Sequence, residues 1–150
     1  RKLALKHRTP QPSQSGRLMA LDVGTRKIGV AVSDLLQLYA RPLTTLRRRG
    51  LHRDRDNLLE LIREYEVGSV IVGLPTHLNG SDSATTGCIH PLAGELRNTD
   101  VNVEWQDERL SSHFAEESMS RLKIPIAERR QLRDQYAAAL ILQWYLEERD

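Results

Sequence analysis

Three acids, Asp22, Asp107 and Asp134, stand where carboxylates can do chemistry. Asp22 closes the apolar run Leu18 to Asp22, two residues before Gly24. Asp107 ends the stretch VNVEWQDER, where strand alternation groups it with Val101, Val103 and Trp105 and turns Glu108 the other way. That favours Asp107 as the inward acid, with Glu108 as the alternative. Asp134 heads a helical stripe that continues through Ala137, Ala138, Ile141 and Tyr145. Its alanines would let a helix lie close to a sheet and aim the carboxylate at it. Each acid also has a plainer use. Asp22 could open a turn, Asp107 could cap or pair with Arg109, and Asp134 could be a solvated helix acid near Arg130 and Arg133. Gathered together, carboxylates repel one another, and a divalent cation relieves that. Mg²⁺ and Mn²⁺ take oxygen ligands. Two such ions roughly 4 Å apart activate a water and stabilise the leaving oxygen at a phosphodiester.

The elements that must position these acids follow from the pattern. Leu18 to Asp22 lacks polar alternation, as in a strand buried on both faces. The run Ile28 to Ser33 follows so closely that an antiparallel hairpin is the economical connection. RPLTTLRR reads as a weaker third strand, with Pro42 placing it at an edge. Leu58, Leu59, Ile62 and Tyr65 recur at helical spacing, with Asp54 or Asp56 as start cap and Gly68 as C′ residue. SVIVGLP is a buried parallel strand. Residues 76–90 read as a loop around the turn Asn79-Gly80, and Pro91 as the first position of a helix running to about Arg97. A fifth strand spans VNVEWQDER, and a helix capped by Ser111 or Ser112 follows. After Pro125 the longest helix runs from Ile126 to about Glu148. The expectation is an α/β fold: a mixed five-stranded sheet, its first three strands antiparallel, with helices on both faces.

The chain has 150 residues, enough for one domain with a real core. No apolar run reaches the roughly 20 residues that span a bilayer, so no membrane partner is expected. The single cysteine, Cys88, excludes an internal disulfide framework and a cysteine-based zinc cluster. The net charge of +2 hides an asymmetry. Residues 1–17 hold five Lys/Arg and no acid, leaving 17 basic against 20 acidic residues elsewhere. Residues 1–17 therefore read as a disordered basic tail and 18–150 as the folded domain. Such a tail suits an organelle transit remnant, which would place the protein in a plastid or other organelle. Without that role, a bacterial protein would be cytoplasmic. Any nucleic-acid footprint on the folded part must be local. Residues 41–55 supply one, with Arg41, Arg47, Arg48, Arg49, Arg53 and Arg55 against Asp54 alone. Arg47, Arg48 and Arg49 could track phosphates, Arg26 and Lys27 could steer one toward Asp22, and Arg109 could touch substrate or orient Asp107. His77, His90 and His113 lack metal-ligand spacing, and Trp105 and Trp144 read as packing residues.

Five separated motifs, LMALDVGTRKIGVAVSD, SVIVGLP, NGS, DERLSS and RDQYAAALILQWYLE, carry a resemblance. In order and spacing they resemble the YqgF family, also called RuvX or Holliday-junction-resolvase-like, over nearly all of Leu18 to Glu148. The resemblance implies an RNase H-like fold, with Asp22, Asp107 and Asp134 as catalytic acids that bind Mg²⁺ or Mn²⁺. It also implies endonucleolytic hydrolysis leaving a 5′-phosphate and a 3′-hydroxyl. The implied substrate is structured RNA at the 5′ end of pre-16S rRNA, in ribosome biogenesis, or alternatively branched DNA. A junction cutter would act as a homodimer, so that two sites cut two strands. A binding-only RNA assembly factor and a nucleotide-binding protein using the DVGT turn are the remaining alternatives. The sequence departs from the family after NGS, where SATTGCIHPLAGEL holds no arginine and is interrupted by Pro91.

Overall fold

The computed structural model describes residues 15–75, 84–108, 111–121 and 123–149, with some side chains inside these ranges left aside. Nine elements follow in the order β1 (Arg17–Val23), β2 (Lys27–Ser33), β3 (Ala40–Arg47), α1 (Leu51–Glu64), β4 (Val67–Pro75), α2 (Ala84–Arg97), β5 (Asn102–Glu108), α3 (Ser111–Arg121) and α4 (Ile126–Arg149). They form one five-stranded sheet of order β3-β2-β1-β4-β5. The β1–β2 and β2–β3 pairs are antiparallel, and the β1–β4 and β4–β5 pairs are parallel. The mixed α/β sheet expected from the sequence is therefore the observed one.

The unbroken apolar runs have a direct cause, because helices cover both faces of the central strands. Met19, Leu21, Val30, Val70 and Val72 pack on one face with Leu58 of α1 and Ile89, Leu92 and Leu96 of α2. Leu18, Ala20, Ala31 and Ile71 pack on the other with Ala138, Ile141, Leu142 and Leu146 of α4. Leu18 to Leu21 are all at most 2% exposed. Burying each large side chain stabilises the fold by about 1.5–3 kcal/mol.

Four boundaries differ from the sequence expectation. The first helix starts at Leu51 behind Gly50, which caps it without a side-chain bond, and Asp54 is buried within the first turn. At its far end Glu66 takes the left-handed conformation (φ 53°), and Gly68 lies inside β4. The backbone stops the helix at Tyr65, whose N–H bonds Leu61 O, and the chain turns before Gly68 is reached. The second helix begins at Ala84, so Pro91 lies in its interior rather than at its first position. There its ring removes one N–H from the helix ladder and faces the Gly87 carbonyl four residues back. The expected turn Asn79-Gly80 lies outside the described residues. Arg17, assigned to the tail by composition, is the first residue of β1, and its guanidinium bonds Tyr65 O at 3.0 Å.

Candidate active site

Asp22 is the penultimate residue of β1, at the edge where the parallel strands β1, β4 and β5 end. Its register parity is that of Leu18 and Ala20, so it lies on the face covered by α4. Its partner across β2 is Gly29. A Cβ at Gly29 would fall inside the van der Waals envelope of the Asp134 backbone carbonyl and would also crowd Gln135 N. The bare Gly29 therefore lets α4 settle directly on β2, next to Asp22, with Asp134 at the point of contact. The isolated glycine in a strand pattern is a recognised mark of close backbone approach, and it was the available sequence signal for this arrangement.

Asp107 behaves differently. The β4–β5 register runs without a break from Asn102 to Glu108, so Asp107 keeps the parity of Val103 and Trp105, as the alternation predicts. That parity belongs to the face packed by α1 and α2. Val103 and Trp105 join the cluster there, and Trp105 meets His90 at 5.2 Å between ring centroids and Arg97 at 5.3 Å. On the Asp22 face, β5 presents Glu104 to the Tyr145 hydroxyl (2.9 Å) and Gln106 to Glu148 (3.0 Å). Position 108 shares that second parity. The structure thus brings Asp22 and Asp134 together and assigns Asp107 to the opposite face. The alternation expected for β5 holds, and by that register position 108, not Asp107, has the parity of the face covered by α4. Among the described residues no three His, Cys, Asp or Glu side chains gather closely enough to enclose a cation. Two hard carboxylates remain, and that donor set fits Mg²⁺, which keeps several waters and commonly uses one or two carboxylates plus substrate phosphate.

The turn beside Asp22 is held by a strut that the sequence reading missed. Gly24 N–H bonds Lys27 O at 2.8 Å and closes the hairpin. Arg48 donates from Nη1 to Gly24 O and from Nε to Asp54 Oδ2, each at 2.8 Å. Asp54 Oδ1 accepts the Arg49 backbone N–H at 2.8 Å. The Asp54 side chain is 3% exposed and that of Arg48 14%, so this is an ion pair largely withdrawn from water. Arg48 thus bonds both the turn and α1 with its guanidinium.

Arg26, Lys27 and Arg47 are brought to one place on the surface. With Thr25 and Arg48 they line an open hollow of about 520 Å³. Lys27 and Arg47 also line a neighbouring groove of about 360 Å³, together with Thr44, Thr45, Gln131, Leu132 and Gln135. Arg49 is exposed, and Arg109 and His113 lie outside the described side chains. Among the described residues no helix is long and apolar enough to cross a membrane.

Comparison with known proteins places this geometry. A protein of Roseiflexus sp. (strain RS-1), described as "Putative pre-16S rRNA nuclease", is 42% identical over 136 residues, covering 90% of this chain and 96% of that protein. A Moorella thermoacetica protein of the same description is 42% identical over 132 residues, covering 87% and 94%. In fold, the chain is similar to Thermus thermophilus RuvC solved with a Holliday junction substrate (TM-score 0.57, 17% identity, 89% of this chain and 96% of that one). It is also similar to the fowlpox virus Holliday junction resolvase (TM-score 0.55, 13% identity, 88% and 98%). Residues 16–148 match the family model described as RuvX, Holliday junction resolvase, and the chain belongs to that family.

Proposed function

We propose that this protein is a divalent-metal-dependent endonuclease that hydrolyses phosphodiester bonds in structured RNA, acting at the 5′ end of precursor 16S rRNA. The observation that carries the reading is the seating of α4 on Gly29. It holds Asp134 beside Asp22 on one sheet face, next to the cationic hollow of Arg26, Lys27 and Arg47. The names of the relatives supply the RNA substrate.

Asp22 and Asp134 would hold Mg²⁺ or Mn²⁺, with a third acid from the Asp107-Glu108 pair. The register favours Glu108 for that place. Bound there, the metal would supply an activated water and charge relief for the leaving 3′-oxygen. The protein's own contribution is placement. β1 is buried on both faces and fixes Asp22 rigidly. The Asp54–Arg48 strut fixes the turn that follows. Arg26, Lys27 and Arg47 neutralise the phosphates flanking the scissile one. The basic stretch that precedes β1, proposed as a tail outside the domain, would add non-specific attraction to nucleic acid or serve as a transit remnant.

The test is a cleavage assay with purified protein on a precursor 16S 5′ fragment and on a four-way DNA junction, in Mg²⁺ or Mn²⁺. The RNA should be cut to products bearing 5′-phosphate and 3′-hydroxyl, and EDTA should stop the reaction. A second reading, a branched-DNA resolvase, is favoured by the family's description. Symmetric cutting of the junction by a dimer, with the RNA left intact, would replace the first reading with the second. RNA binding by the wild type, with neither substrate cut in Mg²⁺ or Mn²⁺, would reduce the protein to an assembly factor.

A further inference from the structure

Lys27 and Arg47 are direct cross-strand partners at the β2–β3 edge. Both line the groove against α4, so the two cations share a face. Like charges placed directly opposite destabilise a sheet. Among the described residues neither is bonded to a carboxylate. The arrangement lacks an internal reason and calls for an anion between the two side chains.

The groove beyond them is chemically different. Thr44, Thr45, Gln131 and Gln135 line it with neutral groups that both donate and accept hydrogen bonds. The Thr45 hydroxyl lies 3.3 Å from Gln135 Oε1 and 3.4 Å from Gln131 O. With one proton to give, it satisfies one of them at a time and keeps its lone pairs for a further donor. Among the described residues the amide nitrogens of Gln131 and Gln135 have no protein acceptor. The groove therefore pairs a phosphate-sized cationic clamp with an uncharged hydroxyl-binding floor. Thr45 pairs with Gly29, and Gly29 with Asp22, so the groove lies in the same cross-strand row as Asp22. Two strand spacings separate them, about 10 Å. That distance assigns the groove to a nucleotide other than the one cut.

We propose that this groove is a ribonucleotide subsite. In it Lys27 and Arg47 clamp a backbone phosphate, and Thr45, Gln131 and Gln135 read the adjacent 2′-hydroxyl, giving RNA its preference over DNA. The inference rests on the nuclease reading for its nucleic-acid ligand, but its specificity claim stands separately. A 2′-hydroxyl is both donor and acceptor and is the group that separates the two polymers. Deoxyribose offers the amides nothing in exchange for their water.

The test measures fluorescence anisotropy with Ca²⁺ in place of Mg²⁺, so that binding is read without turnover. Three probes share one sequence: RNA, DNA, and RNA carrying 2′-O-methyl groups. Wild type should bind RNA about tenfold or more tighter than the other two. The double variant Gln131→Ala/Gln135→Ala should lose that preference while DNA affinity stays within about twofold, because two modest hydrogen bonds are removed. Thr45→Val keeps the side-chain shape and should erode the same preference. Lys27→Gln/Arg47→Gln should weaken all probes alike and flatten the salt dependence by about one unit of slope. Equal losses for RNA and DNA in the glutamine variant, or an unchanged salt slope in the cation variant, would overturn the subsite. Intact discrimination together with no cutting in Mg²⁺ would leave the subsite standing and sink the nuclease reading. A wild-type protein that binds none of the probes would sink both.

Discussion

At the scale of single residues, the Asp54–Arg48 pair shows how one buried carboxylate serves a site some distance away. Asp54 answers two donors, the Arg48 guanidinium and the Arg49 backbone N–H, and Arg48 passes the restraint to Gly24 O. Removing the carboxylate charge leaves a mostly buried guanidinium uncompensated, at a cost of about 3 kcal/mol. Asp54→Asn should therefore lower the melting temperature by about 10 °C, read by circular dichroism. It should reduce cleavage further than the stability loss explains, because the turn after Asp22 loosens. Asp34 offers a pH-dependent counterpart in the β2–β3 loop. The Tyr39 backbone N–H, and after it that of Leu38, holds its carboxyl below the ordinary range against an opposing burial effect. The folded value is the lower one. The stabilisation is therefore present above the unfolded pKa and is lost as pH falls through the folded one. In an NMR titration the Leu38 and Tyr39 amides should shift together at a pH below the usual aspartate midpoint. In Asp34→Asn that acid transition should be absent.

Among the elements, the contact of α4 with β2 is the decisive one. Gly29→Ala would put a methyl group into the Asp134 carbonyl and force the helix outward. Overpacking of this kind costs about 1–3 kcal/mol. The expected result is a modest fall in melting temperature with a disproportionate loss of cleavage, because Asp134 leaves Asp22; unchanged activity would separate the helix contact from catalysis. Much at this scale was legible in the sequence. Apolar runs marked β1, β2 and β4, and the small-residue stripe of α4 marked the helix that lies on the sheet. What escaped had a tertiary cause. Alternation showed that Asp107 accompanies Val103 and Trp105. It could not show which face of the sheet α4 would cover, and that decides which positions of β5 share the face of Asp22. Glu66 took the left-handed turn expected near Gly68 because helix termination was decided by backbone bonds rather than by residue preference. Single substitutions separate the two acids of β5. Glu108→Gln should abolish cutting, whereas Asp107→Asn should retain most of it.

For the whole molecule, the modest net charge of +2 conceals a division of labour. The folded part is slightly acidic, and its cations concentrate where β2 and β3 meet at the edge of the Asp22 site. Affinity for nucleic acid should then fall steeply with salt although the domain is not basic overall. The arginine-rich stretch 41–55 was visible as a patch before its parts could be sorted. Folding divides it, giving Arg47 to the groove, Arg48 to the strut and Arg55 to Glu95 on α2 at 2.8 Å. Charge density alone could not distinguish a phosphate contact from an internal pair. The central claim is that Asp22, fixed on a doubly buried strand, is a metal-binding catalytic carboxylate. Its most direct test is cleavage of a precursor 16S fragment in Mg²⁺ by Asp22→Asn, prepared free of contaminating nuclease. Cutting should be abolished while the melting profile and the RNA affinity in Ca²⁺ remain those of the wild type; cutting at the wild-type rate would contradict the account.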